Sequence, residues 1–544
     1  MNTQLLSSTE KDIDTAADII RLGGLVAMPT ETVYGLAADA LNGESVKKIF
    51  KAKGRPADNP LIVHIAHLED IERLELTKNF PEKAKKLAEA FWPGPLTIIV
   101  EKGETIPDEV SAGLSTVAIR MPSHPVARKL IERSGCALAA PSANSSGLPS
   151  PTTAQHVLDD LSGKIDAVID GGSCSVGVES TVMTLAGDTP KILRPGFITK
   201  EQIEEVIGAI EIDKAVLHHI ENNEKAASPG MKYQHYSPRV SVVLVRADEN
   251  HYINFVNRSQ SRFHNIAALC YDEDIERIDA PYVSLGAKKD LATQAKKLFD
   301  ALRAVDEIEG VEVVYAHCPK AQGVGMALYN RLIRAAAFEV VDIPSLKIIG
   351  LTGQTGAGKS EVSKILKDSG MKIIDADRAA RLAVEDPRVL QKLTEAFSEE
   401  ILLPDGTLDR KKTARIAFST EENTKKLNAV THPKIIEIML EEAREASDTG
   451  VSFAVFDAPQ LFEAGADVYC DCIISVLSDE KLRLNRIMER DSLTQQEARS
   501  RMNVQFSEDF FRANSDFFIY NNDGLDALQE QVNMVIEVLN DGVL

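Results

Sequence analysis

Residues 353–360 have the spacing of a loop that binds phosphate. The segment follows the pattern G-x-x-x-x-G-K-[ST] and comes directly after the strand-like run 347–352, which is the context that the pattern requires. Its glycines let backbone N–H groups curl around a phosphate, its lysine bridges the β- and γ-phosphates, and its serine hydroxyl ligates Mg²⁺. We therefore predict a nucleotide site rather than a glycine-rich turn that binds nothing. The residues expected to contact ATP are Gly353, Gly356, Ala357, Gly358, Lys359, Ser360 and Glu361.

Aspartates stand at the ends of two later strand-like runs. Asp375 and Asp377 follow one run, and Asp457 follows the other. In parallel sheets such strand ends open onto the ligand crevice, where a carboxylate can accept the proton of an acceptor hydroxyl. Asp457, together with Ser360, suits Mg²⁺, and a strand-terminal turn residue is its alternative interpretation. Asp375 is equally suited to capping the helix that follows it.

A basic cluster follows between residues 483 and 501. Its members are Arg483, Arg486, Arg490, Arg499 and Arg501. Such a cluster can close over transferring phosphates, but charged helices are more often solvated faces. Both interpretations stay open from the residues alone.

The N-terminal part has three polar clusters and no phosphate loop of this kind. The clusters lie at 29–36, 51–64 and 141–147, beside apolar runs. Hydroxyls and amides at strand ends bind small ligands, and Lys53 with Arg55 can neutralise a polyphosphate. Taken singly, each cluster has a plainer interpretation as a helix cap, a solvated basic run or an ordinary loop. A lone His64 within a strand is likewise more often structural than a ligand-binding residue.

The elements that must position these residues predict an α/β protein of several domains. Short apolar runs alternate with helical stretches up to about residue 212, an amphipathic helix spans 291–305, and strands alternate with helices again from 346. Two connectors separate these parts, and the longer one contains prolines and a glycine. The predicted domains are a mixed α/β domain at 1–212, a linker at 213–239, a small α/β domain at 240–343 and a phosphate-loop domain with a parallel sheet at 346–544.

Composition limits the class of protein. The 544 residues include 61 Lys and Arg against 82 Asp and Glu, a net charge of −21, which disfavours broad nucleic-acid binding because such binding depends on neutralising phosphates. The six cysteines form no CxxC pair, so we expect reduced thiols rather than disulfides or a zinc site. There is no apolar run of about 18 residues and no secretory signal at the start, so we expect a cytoplasmic protein without a membrane span.

The C-terminal motifs occur together in a known family. IIGLTGQTGAGKS, IIDADRAAR, LNAVTHP, FDAPQLFEAG, RIMERD and RMNVQ follow one another in this order. They resemble dephospho-CoA kinase, which implies ATP-dependent phosphorylation of the 3′-hydroxyl of dephospho-CoA. The resemblance implies Asp377 as the general base and Lys359 and Arg490 as further catalytic residues. It also implies that Arg381 and His432 lie near dephospho-CoA.

The N-terminal clusters are similar to a second family. PTETVYGL, KGRPADNPL, VAIRMP, PSANSSG, VESTV and ILRPG resemble the YrdC-type threonylcarbamoyl-AMP synthases. SPGMKYQHYSP and ALYNRL resemble the linker and the closing helix of the longer, two-domain form of that enzyme. The resemblance implies that L-threonine, bicarbonate and ATP condense to threonylcarbamoyl-AMP with release of pyrophosphate. It further implies that the product passes to a transferase complex that modifies tRNA.

Position by position, this second resemblance assigns roles to the N-terminal residues. Lys53 and Arg55 are implied to stabilise the leaving pyrophosphate. The residues implied to hold threonine are Thr32, His64, Arg120, Ala140 and Ser180. Those implied to hold ATP are Arg55, Asn59, Thr116, Ser142, Asn144, Ser150, Arg194 and one of the linker tyrosines, Tyr233 or Tyr236.

Both resemblances together predict a bifunctional enzyme, a nucleotidyltransferase joined to a kinase. ATP is the expected substrate at both sites, Mg²⁺ the expected cofactor, and little direct nucleic-acid binding is expected. The alternatives for the N-terminal half are an adenylation domain that takes carbamoyl phosphate or an RNA-binding module. Those for the C-terminal half are another small-molecule P-loop kinase or a domain that binds ATP without turnover.

Overall fold

The structure, a computed structural model, describes residues 2–216 and 236–541. These residues form two compact units, the first lying within Met1–Val245 and Asn265–Val341 and the second within Arg246–His264 and Asp342–Leu544. Both units combine helices with sheets, which confirms the predicted α/β class. The predicted domain boundaries stay predictions, and most of the predicted linker lies outside the described residues. No helix within the described ranges is long and apolar enough to span a membrane.

A mixed sheet dominates the first part of the first unit. Its described strands are β1 (Gln4–Leu6), β2 (Val26–Met28), β3 (Gly35–Asp39), β4 (Ile62–His64), β5 (Leu96–Glu101), β6 (Thr116–Arg120), β7 (Leu138–Ala139), β8 (Ala167–Ile169), β9 (Thr181–Thr184), β10 (Lys191–Arg194) and β11 (Glu211–Ile212). The helices are α1 (Glu10–Arg21), α2 (Gly43–Lys53), α3 (Asp70–Arg73), α4 (Glu82–Phe91), α5 (Asp108–Ser111), α6 (Pro125–Ser134), α7 (Ala154–Leu161) and α8 (Lys200–Ile207). The spatial order is β1-β8-β2-β3-β7-β4-β6-β5-β9-β10-β11.

Local sequence explains why these elements begin and end where they do. Thr9 caps α1 by accepting the N–H of Asp12, which satisfies one of the free donors at a helix start. Asn42 caps α2 in the same way, and Gly54 ends that helix in the left-handed conformation. Because α2 ends there, Lys53 and Arg55 lie on the side of the sheet where the strand-end loops meet.

A smaller sheet follows along the chain. Its strands are β12 (Ser241–Arg246), β13 (Ile266–Cys270), β14 (Tyr282–Ser284), β15 (Val313–His317) and β16 (Val340–Asp342), in the order β14-β13-β15-β12-β16. The helices are α9 (Glu249–Phe263), α10 (Leu291–Ala304) and α11 (Val324–Ala335). The amphipathic helix predicted at 291–305 is α10, with Leu298, Phe299 and Leu302 completely buried on one face.

The second unit contains a parallel sheet. Its strands are β17 (Lys347–Gly353), β18 (Lys372–Asp375), β19 (Phe453–Asp457), β20 (Cys472–Leu477) and β21 (Phe517–Tyr520), in the order β18-β19-β17-β20-β21. Each of the four pairings between neighbouring strands of this sheet is parallel. The helices are α12 (Lys359–Asp368), α13 (Ala376–Ala383), α14 (Pro387–Phe397), α15 (Arg410–Ala417), α16 (Glu421–Asp448), α17 (Leu461–Ala464), α18 (Glu480–Asp491), α19 (Gln495–Asn503), α20 (Glu508–Ala513) and α21 (Leu525–Asn540).

The strand order places the phosphate-loop motif at the centre of this sheet. β17 leads directly into the loop. Ile348 on one face and Ile349 and Leu351 on the other are completely buried, as expected for a central parallel strand covered on both faces. In the register of the sheet, Asp457 pairs with Leu351 and with Asp375. The predicted strand-end aspartates therefore meet at the carboxyl edge, beside the loop.

Candidate active sites

One cavity in the first unit collects most of the residues that the sequence singled out. Among the residues that line it are Thr32, Arg55, His64, Arg120, Ala140, Ser142, Asn144, Ser150, Ser180, Arg194 and Tyr236. Lys53, Asn59 and Thr116 do not line it, and Tyr233 lies outside the described residues. Residues predicted to hold threonine and residues predicted to hold ATP thus share one cavity.

Neighbouring strand ends build the wall of this cavity. His64 ends β4, Arg120 ends β6, and the two residues are register partners in the sheet. Ser180 immediately precedes β9, and its hydroxyl lies 2.7 Å from that of Thr97 on β5. Side chains that are far apart in the chain are therefore held by a rigid sheet, which favours a precise small-ligand site.

Arg120 is paired with a carboxylate that the sequence reasoning did not assign. Its Nη2 lies 2.6 Å from Glu31 Oε1, and both side chains are buried. The second carboxylate oxygen of Glu31 accepts the N–H of Ser123 at 3.1 Å. Burial acts to raise the pKa of Glu31, but the charge and hydrogen bond of Arg120 outweigh it and hold the pKa below its ordinary value. The pair fixes the Arg120 guanidinium at the cavity wall.

Lys53 contacts a loop rather than the cavity. Its ammonium donates to the carbonyl oxygens of Ser142 and Asn144 and lies 3.2 Å from Asn144 Oδ1. Burial, assisted by the charge of Arg55, holds the pKa of Lys53 well below its ordinary value. The lysine therefore fixes the Ser142–Asn144 turn, and its predicted part in stabilising pyrophosphate stays a prediction.

Two further arginines give the cavity an excess of positive charge. Arg194 donates to the Ser180 carbonyl and hydroxyl, both at 3.2 Å. Arg55 donates from Nη2 to the Pro60 carbonyl at 3.4 Å, while its Nε is buried and has no hydrogen-bond partner within the described part of the chain. Burial lowers the pKa of Arg55 to about 10. A buried, unpaired guanidinium N–H is costly unless a ligand satisfies it, so this atom indicates an acceptor in the cavity.

A second carboxylate, Glu179, lines the cavity and is also paired. Its Oε2 lies 3.0 Å from Arg331 Nε, and its Oε1 accepts the Ser150 hydroxyl at 2.7 Å. Arg331, on α11, is completely buried and also donates to the Pro195 carbonyl. Its guanidinium carbon lies 6.0 Å from the centre of the Tyr236 ring. Burial acts to raise the pKa of Glu179, but Arg331 and Arg194 outweigh it and keep this pKa below its ordinary value.

The sequence motifs contain the two carboxylates and Arg331, but the sequence analysis gave these three residues no role. Glu31 lies within PTETVYGL, Glu179 within VESTV and Arg331 within ALYNRL. An acidic residue between apolar residues in a strand-like run is a signal of a buried pair, because an unpaired charge is rarely buried. Glu179 shows only part of that signal, because Val178 precedes it but Ser180 follows it.

His64 is a neutral histidine in this environment. Burial lowers its pKa to about 3, and the nearby charge of Arg120 acts in the same direction. Its Nδ1 lies 3.1 Å from the Ile62 carbonyl oxygen. The ring thus presents a neutral imidazole at the cavity wall, which suits hydrogen bonding rather than charge pairing.

The second unit has the phosphate-loop geometry that the sequence predicted. Residues 353–358 join β17 to α12, and Gly353, Gly356 and Gly358 all have positive φ angles. A Cβ at Gly358 would lie 2.1 Å from Asn521 Nδ2, and one at Gly353 would lie 2.2 Å from the Val476 carbonyl oxygen. Glycine is therefore required at these positions for both conformational and steric reasons.

Acidic side chains surround Lys359 at the carboxyl edge of the sheet. Lys359 Nζ contacts the Asp457 carboxylate directly. Burial lowers the pKa of Lys359 to about 8, with Asp377 and Asp375 acting against that shift. Asp375 Oδ1 accepts the N–H groups of Asp377 and Arg378 at 2.8 and 3.2 Å, so the alternative role of Asp375 as a helix cap is confirmed. Asp377 is left exposed at the start of α13.

Side chains from α18 and from the end of β21 hold the phosphate loop in place. Arg483 donates from Nε to the Thr355 carbonyl at 3.1 Å, and Arg486 contacts the carbonyl oxygens of Gly356 and Ala357. Asn521 also donates to the Ala357 carbonyl, at 2.9 Å. The sequence analysis included Arg483 and Arg486 only as members of the basic cluster, and it gave Asn521 no role.

Other predicted residues of this half lie on the surrounding helices. Arg490 is half exposed and pairs with Asp491 at 2.9 Å. Arg381 is exposed at the end of α13, and His432 is half buried on α16, where burial lowers its pKa. The structure leaves the predicted substrate contacts of Arg381, His432 and Arg490 untested.

Comparison with known proteins assigns a family to each part of the chain. A family model described as telomere recombination matches residues 18–196, one for the threonylcarbamoyl-AMP synthase C-terminal domain matches 198–337, and one for dephospho-CoA kinase matches 347–527. The threonylcarbamoyl-AMP synthase of Bacillus subtilis is 48% identical over 341 residues, which cover 62% of this chain and 97% of the relative. The dephospho-CoA kinase of Listeria monocytogenes is 42% identical over 192 residues, which cover 35% of this chain and 96% of the relative.

The chain belongs to two families, the threonylcarbamoyl-AMP synthases and the dephospho-CoA kinases. Among solved structures, Pyrococcus abyssi Sua5 complexed with L-threonine matches with a TM-score of 0.58 and 43% identity, covering 63% of this chain and all of that chain. We refer to the residues matched by the first family as the synthase half and to those matched by the second as the kinase half. The synthase half includes the strands β2–β11 of the large sheet and β12–β15 of the smaller sheet.

Proposed function

We propose that the chain is a bifunctional enzyme. The synthase half converts L-threonine, bicarbonate and ATP to threonylcarbamoyl-AMP and pyrophosphate, and the kinase half transfers the γ-phosphoryl group of ATP to the 3′-hydroxyl of dephospho-CoA. The observation that carries the synthase assignment is the shared cavity, whose wall combines three arginines with hydroxyl and amide groups. The observation that carries the kinase assignment is the phosphate loop with Asp377 and Asp457 at the neighbouring strand ends.

In the synthase half, the cavity suits an anionic nucleotide beside an amino acid. We assign Arg55, Ser142, Asn144, Ser150, Arg194 and Tyr236, which line the cavity, to ATP. The assignment of Asn59 and Thr116 to ATP rests on the sequence resemblance alone. Thr32, His64, Arg120, Ala140 and Ser180 are assigned to threonine, and the Pyrococcus relative solved with L-threonine supports threonine as a ligand of the synthase half. Threonine and bicarbonate first give the carbamate, with loss of water.

An oxygen of that carbamate then attacks the α-phosphorus of ATP, and pyrophosphate leaves with the electron pair of the broken P–O bond. Positive charge at the cavity wall stabilises the charge that develops on the leaving group. We assign Arg55 to this role because its Nε is buried and has no hydrogen-bond partner among the described residues. Lys53 supports the reaction by holding the turn that carries Ser142 and Asn144. The sheet holds the residues that bind the carbamate and ATP in fixed positions, and this positioning supplies the remaining rate acceleration.

The first experiment tests the synthase half in the full chain. The protein is incubated with ATP, Mg²⁺, L-threonine and bicarbonate, and threonylcarbamoyl-AMP and pyrophosphate are measured by mass spectrometry. Both products should appear and should be lost when bicarbonate or threonine is omitted. Arg55→Gln should lower the rate at least 100-fold, whereas Lys51→Gln, at an exposed lysine of the preceding helix α2, should not. Formation of an adenylate from carbamoyl phosphate instead would favour the alternative adenylation domain.

In the kinase half, Asp377 is assigned as the base that accepts the proton of the ribose hydroxyl. Lys359 and the backbone N–H groups of the phosphate loop bind the β- and γ-phosphates. Arg490 is assigned to the transferring phosphoryl group, and Arg381 and His432 to dephospho-CoA. The P–O bond to ADP breaks as the 3′-oxygen bonds to phosphorus. Conversion of added dephospho-CoA to coenzyme A, measured by mass spectrometry, tests this assignment.

The groups at the phosphate loop fit Mg²⁺. Within the described ranges, no three His, Cys, Asp or Glu side chains form a cluster that could hold a metal by themselves. Mg²⁺ typically takes one or two protein oxygen ligands and completes its shell with phosphates and water. Ser360 follows Lys359 in the first turn of α12, and Asp457 contacts Lys359, so we assign Ser360 and Asp457 to hold it. When bound, the ion neutralises charge on the phosphates.

The wider setting follows from the proposed reactions. Threonylcarbamoyl-AMP is an activated acyl donor, so its expected consumer is a transferase that modifies tRNA. Direct RNA binding by this chain is expected to be weak because of its charge of −21. We propose a cytoplasmic location, where all of these substrates and tRNA are found. A fractionation that recovers both activities in the soluble fraction, with loss of RNA binding at moderate salt, tests this placement.

A further inference from the structure

One helix of the second unit, α9, lies outside the residues that the kinase family model matches. α9 lies between β12 and β13 along the chain, within the residues that the synthase C-terminal model matches. The second unit nevertheless consists of Arg246–His264 together with Asp342–Leu544. The kinase model begins at residue 347, so α9 is not part of what the kinase family shares.

Charged side chains on α9 pair with aspartates of the kinase half. Arg262 Nη1 lies 3.0 Å from Asp467 Oδ1, and Arg262 also donates to the Phe462 carbonyl. Arg258 Nη2 lies 2.9 Å from Asp516 Oδ2. The four charged side chains are between 12% and 36% exposed, so these pairs are less screened by water than ordinary surface pairs.

The helix also makes contacts that do not depend on opposite charge. Asn254 donates to the Cys470 carbonyl at 3.3 Å. The ring of Phe255, which is almost completely buried, lies 5.3 Å from that of Tyr469. An aromatic contact of this kind adds favourable packing to the burial of the rings themselves. The contact surface therefore combines apolar packing with hydrogen bonds and ion pairs.

On the kinase side, two of the carboxylates are built into the sheet. Asp471 Oδ2 accepts the N–H of Ile348 at 2.6 Å, and Asp516 Oδ2 accepts that of Ile473 at 2.7 Å. These aspartates immediately precede β20 and β21, at the amino ends of the strands, and thus at the edge opposite the phosphate loop. His251 Nε2 lies 3.6 Å from Asp471 Oδ2, and Arg258 donates to the Asp471 carbonyl at 3.1 Å.

The spacing of the basic residues matches this acidic edge. His251, Arg258 and Arg262 are seven and four residues apart, a spacing that places them on one face of a helix. Burial raises the pKa values of Asp467 and Asp471, so both carboxylates need nearby positive charge to remain ionised inside the protein. α9 supplies that charge.

We propose that α9 is an intramolecular docking helix for the kinase half. The acidic edge formed by Asp467, Asp471 and Asp516 is a binding surface for a basic helix, and α9 occupies it as an integral part of the kinase fold. The kinase half of this chain therefore depends for its stability on a segment that belongs, in sequence, to the synthase half.

A charge exchange in the full chain tests this proposal. Arg262→Asp and Asp467→Arg each replace an attractive pair with a like-charged one, and the double variant restores attraction in reverse. The Arg262–Asp467 pair is preferred because Asp516 and Asp471 also accept strand N–H groups, which a substitution would remove. Lys289→Asp, at an exposed lysine of the synthase half, is the matched charge-reversal control.

The readouts are hydrogen–deuterium exchange of residues 466–473 and the temperature at which half of the kinase activity is lost on heating. Each single variant should lower that temperature by about 4 °C and increase exchange. The double variant should recover more than half of the lost temperature and more than half of the lost protection from exchange. Lys289→Asp should change neither the temperature nor the exchange. Unchanged exchange in the single variants, or a double variant as impaired as the two singles combined, would overturn the proposal. Because exchange reports packing rather than turnover, the result is independent of the proposed reactions. Arg262→Gln offers a milder variant if a charge reversal prevents folding.

Discussion

Arg331 Nε and Glu179 Oε2 lie 3.0 Å apart in the first unit, although 152 residues separate them in the chain. Glu179 lines the cavity, and Arg331 comes from α11, in the part that the synthase C-terminal model matches. Arg331 offsets the negative charge of Glu179, as Arg120 offsets that of Glu31, so Arg55 and Arg194 leave the cavity positively charged. The C-terminal part of the synthase half therefore supports the electrostatics of the cavity.

Replacing Arg331 should damage the synthase half. Arg331→Met leaves the buried carboxylate of Glu179 unpaired, which should reduce the free energy of unfolding by about 3 kcal/mol. It should also raise the KM for ATP at least tenfold, because Ser150 and Tyr236 lose a common support and the cavity gains an unpaired negative charge. The chain has a single tryptophan, Trp92, in the synthase half, so urea unfolding followed by its fluorescence reports this unit.

A second substitution separates charge from packing in that prediction. Adding Glu179→Gln to Arg331→Met removes the unpaired charge and should recover about half of the lost stability. Kinase activity of the same chain serves as the internal control and should be unchanged in both variants. If Arg331→Met left both the unfolding curve and the KM for ATP unaltered, the pair would have no role in the cavity.

Asp377→Asn should abolish phosphoryl transfer to dephospho-CoA. A general base contributes about 10²- to 10⁴-fold to a rate, so we expect kcat to fall by about 1,000-fold, while ATP affinity measured by calorimetry changes less than threefold. Asp368→Asn, at an exposed aspartate at the end of α12, is the control. Loss of ATP binding in Asp377→Asn would instead indicate a structural role for this carboxylate.

Arg483 and Arg490 should have different kinetic effects. Arg483 donates to the Thr355 carbonyl, so Arg483→Met should loosen the phosphate loop and raise the KM for ATP of the kinase reaction about tenfold. Arg490→Ala should mainly lower kcat if Arg490 contacts the transferring phosphoryl group. Steady-state kinetics of both variants decide the matter, and an Arg490→Ala enzyme with normal kcat would refute the role proposed for that residue.

His64 should make the stability of the synthase half dependent on pH. Its pKa is about 3 in the folded protein, against an ordinary value of 6.5, so below pH 6.5 only the unfolded chain gains a proton at this residue. Stability should therefore fall as the pH drops from about 6.5 towards 3, by about 1.4 kcal/mol per pH unit. This contribution is fully present above pH 6.5.

The test compares urea unfolding of the natural chain and of His64→Gln at pH 6.5 and pH 5, again by Trp92 fluorescence. The natural chain should lose about 2 kcal/mol more than the variant over this interval. His67→Gln, at a half-exposed histidine, is the control and should behave like the natural chain. Equal losses in the natural chain and in His64→Gln would show that His64 is not buried as a neutral ring.

The sequence predicted the elements better than it predicted their pairings. The helix predicted at 291–305 is α10, and the strand predicted at 453–457 is β19, because hydrophobic periodicity directly reflects which face is buried. The phosphate loop was predictable because its chemistry is local, a contiguous set of glycines, a lysine and a serine. The cap formed by Asp375 was foreseen as an alternative for the same reason.

The paired charges were not predictable from the residues alone. Glu31 meets Arg120 across 89 residues, and Glu179 meets Arg331 across 152, so no local pattern reports either contact. The contacts of Lys53 were not predictable either, because the backbone carbonyls that its ammonium binds lie about 90 residues further along the chain. The packing of α9 against the kinase half was not predictable either. Amphipathicity shows that a helix has a buried face, but it does not show which surface covers that face.

The place of α9 along the chain has a consequence for synthesis. A ribosome adds about 5 to 20 residues per second, and Arg258 is separated from Asp471 by 213 residues. The helix is therefore made roughly 10 to 40 s before the acidic edge that receives it. During that interval the nascent chain carries a basic helix face without its acidic counterpart, and nascent chains that stop before Asp467 never acquire it. Truncated products of this gene should for that reason be natural substrates for chaperones and proteases.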